Sequence, residues 1–311
     1  VKRTLAAAVI FASAAHAADC AGCHPAETKL HAASTHASAL SRPAGSLFAR
    51  QLTGRPLSEG PDGFSFEYNR DAAEVTARRG GEQATSPLVW IFGSGRQGQT
   101  PVLYYRGHFV EHRVSYYAAT GFGITIGQPN GPSPDAKRAL GRPESNGDAR
   151  LCFDCHATGV SRDLARMTPG IQCVRCHAGA EEHAETQGKV VNPGRLDHRA
   201  QVELCGECHR LRPPSGDDAN IGNVRFQPLR LMKSACFRKS EIACTTCHAA
   251  HRDAERGAPD VYNSHCVACH QDAAAHTAKV KSGNCIGCHM PKVSPAPGLT
   301  FTDHFIRVIA D

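Results

Sequence analysis

Phe64-Ser65-Phe66-Glu67-Tyr68 alternates apolar and polar positions with a period of two. β-Branched or aromatic runs follow at Leu88–Phe92, Val102–Tyr105, Phe109–Val114 and Phe122–Ile126, with glycine between them. Alternation cut by turn residues predicts strands. Residues 50–130 are therefore expected to form a small antiparallel β-rich insert. Within it, Gly93-Ser94-Gly95-Arg96-Gln97-Gly98 reads as a hairpin turn. As a phosphate-binding loop it lacks the Lys-Ser/Thr pair and the following helix. Pro, Gly, Asn and Asp crowd residues 131–150, which read as a linker. From 151 to 311, short helices and much coil are expected.

The chain opens on a different pattern. Lys2 and Arg3 precede the apolar, small-residue stretch Thr4–Ala15, and Ala15-His16-Ala17 fits a cleavage site. Residues 1–17 thus read as a secretory signal peptide, with the mature chain starting at Ala18. The stretch is too short for a stop-transfer span, and no later apolar run is long enough for a membrane helix. The expected location is periplasmic or extracellular. Residues 18–49 then form an N-terminal segment ahead of the insert.

Composition changes this picture in one respect. Aromatics are only 6% of 311 residues, while 29 Gly and 19 Pro make the chain rich in loops. Little of its own material is left for a core, yet it has 15 cysteines. Thiols at that density mark a disulfide framework, a metal protein or haem attachment, and spacing decides among them.

Fourteen of the 15 fall in seven copies of C-x-x-C-H. The motifs are Cys20/Cys23/His24, Cys152/Cys155/His156, Cys173/Cys176/His177, Cys205/Cys208/His209, Cys244/Cys247/His248, Cys266/Cys269/His270 and Cys285/Cys288/His289. Two thiols at this spacing reach the two vinyl groups on one edge of a haem. The adjacent imidazole then binds the iron as proximal ligand. Paired C-x-x-C units also build zinc sites, but zinc does not require a histidine after each pair. A thioredoxin-like site would use one motif beside a βαβ unit. Disulfides leave the histidines unexplained. Seven covalently attached haems c are therefore expected, and their faces would supply the apolar surface the sequence lacks.

Charge is reread in that light. The 35 basic and 29 acidic residues give +6, and removing Lys2 and Arg3 leaves 33 against 29, or +4. Two propionates per haem would turn the loaded protein acidic. The polypeptide's own charge is thus no signal for nucleic acid or membrane.

Sixth ligands are sought among the spare histidines: His31, His36, His108, His112, His183, His198, His251, His265, His276 and His304. Methionine, the alternative, occurs only at 167, 232 and 290, and Met290 directly follows a proximal histidine. Mostly bis-His, low-spin, low-potential haems follow. A helix is expected from about His31 to Leu40, and His36 is favoured over His31 as the ligand on it. His183 and His251 are too near their own motifs and would serve neighbours. His276 lies between the last two motifs, and His304 would fold back over an earlier haem. His108 and His112 read as a ligand pair, one ligand or neither, and His198 and His265 are less favoured. Cys236, the odd thiol, reads as a small buried residue beside a haem; a ligand, an intermolecular disulfide or a substrate-binding thiol are the alternatives.

Cys20 to Leu40, Cys173 to His183, Cys205 to His209, Leu231 to His251, Cys285 to Pro291 and Asp303-His304 together resemble a known family. It is the group of large multihaem cytochromes c with doubled C-x-x-C-H motifs, related to the tetrahaem cytochromes c and to octahaem hydroxylamine oxidoreductase and tetrathionate reductase. The likeness is weaker in the insert. It implies a mainly α and coil fold organised around stacked haems. It also implies that histidines placed as His36, His183, His251 and His304 act as distal ligands. The group holds carriers and reductases alike. No Lys-ending motif occurs here, and the spare histidines suffice to cap every iron, which favours a carrier. The expected role is periplasmic electron transfer in anaerobic-type respiration, between a quinol-linked donor and a reductase or an outer-membrane acceptor. The alternative is a reductase of a small nitrogen or sulfur oxyanion at one five-coordinate haem. A third reading is an oligomer or filament in which one subunit caps a haem of the next.

Overall fold

The computed structural model describes residues 19–212, 220–271 and 284–309. The signal-peptide reading of 1–17 and the candidate ligand His276 lie outside these residues.

A ten-stranded antiparallel sheet dominates the first half of the described chain. Its strands are β1 (Leu40–Ser41), β2 (Leu57–Ser58), β3 (Ser65–Tyr68), β4 (Glu74–Arg79), β5 (Glu82–Phe92), β6 (Gly98–Tyr105), β7 (His108–His112), β8 (Val114–Tyr117), β9 (Gly121–Ile124) and β10 (Gly141–Pro143). The order is β10-β7-β6-β5-β4-β3-β2; β1 adds to β5, and β8 joins β6 to β9. Side chains of successive residues leave opposite faces of a strand. Ile91, Leu103 and Val110 accordingly enter one core with Phe48, Phe64, Phe66 and Leu140. Their neighbours Trp90, Val102 and Phe109 enter a second core with Leu40, Phe153 and Leu164.

The expectation of a mainly α and coil fold with a small β insert is overturned. Helix accounts for 34% and strand for 23%, with the large sheet as the principal element. Two physical causes enlarge it. Strand β4 is polar, and its inward positions are only Val75 and Ala77, so its alternation is weak in sequence. Short strands from outside 50–130 also join by pairing with distant strands: Leu40 opposite Phe92, and Gly141 opposite His112. Residues read as linker thus carry β10 and the helix Ala136–Leu140, whose Ala139 and Leu140 are fully buried.

A buried ion pair straps the returning chain to the sheet. Arg113 and Glu59 have almost no exposed side-chain surface and face each other. Arg113 also donates to Pro129 O at 2.7 Å, and Glu59 accepts from Ser133 N–H at 3.0 Å. Burial alone would raise the Glu59 carboxyl, but donors from Ser133, Phe64 and Arg113 outweigh it and hold the group below its ordinary value.

The helix Asn146–His156 docks the second motif on this scaffold. Ser145 caps it by accepting from Asp148 N–H at 3.1 Å. Ala149 and Phe153, four apart and on one helical face, are buried in the second core. From 173 onward the motifs sit on short helices; among the described residues Val202, Leu231 and Phe237 form a small buried cluster, and Ala180, Val224, Phe226 and Leu229 are buried outside it. Among the described residues, no helix is long and apolar enough to cross a membrane.

Candidate functional site

Each motif is built on about one helical turn. His24, His177, His248 and His270 N–H groups donate to Cys20 O, Cys173 O, Cys244 O and Cys266 O, at 2.8, 2.9, 3.0 and 2.9 Å. Positions i, i+3 and i+4 share a face of such a turn. Both thiols and the imidazole of a motif therefore address one side, as attachment to a single flat ring requires. None of the 15 cysteines is in a disulfide. Among the described residues, no group of three or more His, Cys, Asp or Glu is arranged to hold a bare metal ion.

The fourteen motif thiols differ in exposure. Cys23, Cys176, Cys269 and Cys288 are exposed, whereas the other ten are partly buried. All four are the second thiol of their motif, in motifs one, three, six and seven. The physical reason is local. The turns Cys20–Cys23, Cys173–Arg175 and Cys285–His289 bury none of their own residues, and the helix Pro259–Val267 ahead of Cys269 buries only Asn263. Among the described residues, Cys23, Cys269 and Cys288 are thus left exposed. Their assignment to a haem rests on the motif, not on enclosure.

The motifs adjoin one another in a definite order. The Cys20 thiol reaches Cys173, joining motifs one and three. Arg175 of motif three pairs with Glu207 of motif four at 3.0 Å. Cys155 donates to Glu207 O at 4.0 Å, which sets motif two against motif four. Thr245 of motif five donates its N–H to Gln201 Oε1 at 2.8 Å, on the helix of motif four. The Tyr262 ring lies 5.6 Å from His248, and Cys285 N–H donates to Asn263 Oδ1 at 3.0 Å, bringing in motifs six and seven. A cavity of about 490 Å³ opens beside Cys155, lined by Arg150, Asp154, Arg175, Glu207 and Arg210.

Four motif histidines each face a histidine from a distant segment. Ring centres are 6.4 Å apart for His24 and His183, and 5.9 Å for His177 and His251. They are 6.2 Å apart for His248 and His304, and 6.1 Å for His209 and His36. Metal–imidazole bonds of about 2.0–2.1 Å, with each ring centre about 1.1 Å behind its nitrogen, set two axial imidazoles about 6.3 Å apart. All four separations fit an iron between the rings. Rotation about the metal–nitrogen bond leaves the interplanar angle free, so values from 29° to 86° are compatible with that geometry.

Hydrogen bonds select the ring nitrogen that remains available. Nδ1 of His177, His183 and His304 lies 3.0, 2.7 and 3.0 Å from Val191 O, Gly188 O and Thr302 O. Nδ1 of His156 and His289 meets Ala39 O and Arg307 O at 2.8 and 2.9 Å, and that of His209 meets Gln227 Oε1 at 3.1 Å. A carbonyl partner holds the proton on Nδ1 and leaves the Nε2 lone pair for a metal. Burial further keeps several rings neutral. It pushes His304 down to about 4, against the Thr302 carbonyl that raises it. Burial also lowers His36 and His248, and the neighbouring His209 adds to both shifts.

No family model matches the chain, and no curated protein matches it. Among solved structures, one titled as the crystal structure of the outer cell wall cytochrome OcwA is 14% identical. It superposes with a TM-score of 0.54 over 93% of this chain and 78% of that one. In fold, the chain is similar to a cytochrome. At this identity the likeness is one of architecture, and it extends over the sheet as well as the motifs.

The other histidines are placed differently. His112 is fully buried in the sheet, with Nε2 2.7 Å from Tyr68 Oη and Nδ1 2.7 Å from Leu140 O. Both nitrogens are engaged, so it is no ligand, and His108 is exposed at the start of β7. His198 bonds Glu241 at 2.6 Å and packs on Phe237. His31 lies near His251, and His265 near His248. The His156 ring packs on Phe92 at 4.8 Å. His270 is exposed. Cys236 is half-buried near Cys247 and Cys266. The helix expected over His31–Leu40 ends at Ala32, because Thr35 N–H turns to Asp253 Oδ1 at 2.7 Å instead of a helical carbonyl. Sequence reading missed Gln227 and the carbonyls that orient the rings. Backbone acceptors leave no residue-type signal.

Proposed function

We propose that the chain is a heptahaem cytochrome c that conducts electrons outside the cytoplasm, with haem c tethered at all seven thiol pairs. The observation that carries this reading is the set of four histidine pairs at iron-spanning separations. In this reading His183, His251, His36 and His304 are the distal partners of His24, His177, His209 and His248. His276, between the last two motifs, is a further distal candidate. The haem irons supply the redox couple, and the polypeptide sets their spacing, ligation and burial. Two imidazoles per iron favour low potentials. The contacts between motifs support a route one–three–four–five–six–seven, with motif two branching at four. Electrons would enter from a quinol-linked donor and leave to a reductase or an outer-surface acceptor. Residues 1–17 would direct export and be cleaved.

Intact mass of protein matured with haem-ligation machinery should give seven attached haems, and its oxidised EPR spectrum should be mainly low-spin. His304→Ala should convert one haem to high-spin with the mass count unchanged. A colourless product of bare polypeptide mass sinks the proposal.

A further inference from the structure

The turn between β5 and β6 touches segments that carry four of the motif and facing histidines. Gly93 and Gly95 have φ of +89° and +90°, and a Cβ on Gly95 would stand 2.8 Å from Leu47 Cδ2. Gln99 braces the turn, accepting from Phe48 N–H at 2.7 Å and donating to Gly93 O at 3.0 Å. From this fixed base, Gly93 N–H donates to Ala39 O at 2.8 Å, the carbonyl that also meets His156 Nδ1. Gln97 Nε2 donates to Thr300 O at 2.6 Å, four residues before His304.

Arg96 makes the most consequential contact. Its Nε and Nη2 donate to Asp253 Oδ2 at 3.1 and 2.7 Å, while Asp253 Oδ1 accepts Thr35 N–H at 2.7 Å. Asp253 is two residues from His251, and Thr35 adjoins His36. Both histidines lie in turns, not helices, so no regular backbone ladder fixes them. Asp253 is largely enclosed and Arg96 half exposed. A single carboxylate therefore ties together two histidine-bearing loops, and the sheet holds that carboxylate through Arg96.

We propose that Arg96 is a positioning residue: acting through Asp253, it holds His36 and His251 at ligating distance from the irons bound by His209 and His177. This rests on the reading of His36 and His251 as axial ligands. It gives the sheet a role beyond scaffolding. One hairpin turn governs sixth-ligand occupancy in two haems at once. Arg is suited to this because its guanidinium presents several donors in a fixed plane to one carboxylate.

The test compares full-length holoprotein variants by intact mass and oxidised-state EPR. Arg96→Ala should keep the wild-type haem count. The low-spin signals of up to two haems should shift in g value or be lost to high-spin, and Arg96→Lys should restore them in part. If Arg96→Ala yields no holoprotein, Asp253→Asn serves, since it keeps an acceptor for Thr35 and neutralises the partner of Arg96; the same two haems should respond. A wild-type spectrum in these variants overturns the proposal, as does a loss spread over more than two haems, which would signal general loosening. His36→Ala and His251→Ala, measured alongside, should each convert one haem. If they do and the Arg96 and Asp253 variants do not, positioning alone fails. If they do not, the ligand reading itself falls.

Discussion

The sheet and the motif-bearing half solve the problem of a core in opposite ways. The sheet region buries two apolar clusters of fifteen and eight residues, drawn from strand positions and from the short helices packed on them. Beyond residue 173, the buried apolar cluster among the described residues has three, and only scattered residues such as Val224, Phe226 and Leu229 are buried outside it. That half leaves Val261 and Val267 substantially exposed, and Leu151, next to Cys152, is 59% exposed. Apolar side chains beside thiol pairs become part of a core only when another apolar body covers them. One half folds on itself; the other leaves apolar side chains beside its thiol pairs uncovered.

The sharpest way to break this contrast is to withhold the haem. In protein made without haem attachment, helices from 173 to 309 should lose their amide-exchange protection almost completely, while β4 to β7 keep most of theirs. Uniform loss, or uniform retention, would show that the two halves do not differ in this way. A smaller effect should be confined to the sheet. Glu59→Ala leaves Arg113 buried without its carboxylate and should cost about 3–5 kcal/mol in denaturant unfolding, with the haem count unchanged. The smallest effect is a pH dependence. Burial depresses His112 from 6.5 to about 4, against the Leu140 carbonyl that raises it. The unfolded chain therefore binds a proton that the folded sheet refuses. The stability linked to neutral His112 is complete above about 6.5 and drains away as pH falls toward about 4. Unfolding midpoints across that range should show the slope in the wild type and a shallower one in His112→Gln. Equal slopes would mean that His112 does not carry it.

Much of the chemistry was legible because it is local. Cys-x-x-Cys-His carries its geometry within one helical turn, so seven copies of the motif and the turns they form could be read directly. The strong strands were legible for the same reason, since Phe64, Phe66 and the run Val102–Tyr105 announce their faces. What escaped depends on partners far along the chain. Strand β4 shows little alternation of its own and is fixed by pairing with β3 and β5. His112 looked like a possible ligand until Tyr68 and Leu140 were seen to occupy both its nitrogens. The exposure of Cys23, Cys269 and Cys288 was equally hidden, because a motif fixes its own turn and says nothing of what packs over it. Which histidine faces which motif could not be read from spacing. Arg96 and Asp253 are ordinary charged loop residues until folding brings them together.

The crossing of histidine partners also constrains the chain in time. A polypeptide leaves the ribosome amino end first, so His209 emerges when His36 is already present. The order is reversed for the other pairs: His24 must wait for His183, His177 for His251, and His248 for His304, almost the last residue described. In the proposed ligation, early motifs would be synthesised as half-sites, and closure would be deferred until the tail arrives. A chain truncated shortly before His304 would keep every thiol pair yet remain unlatched at its fifth.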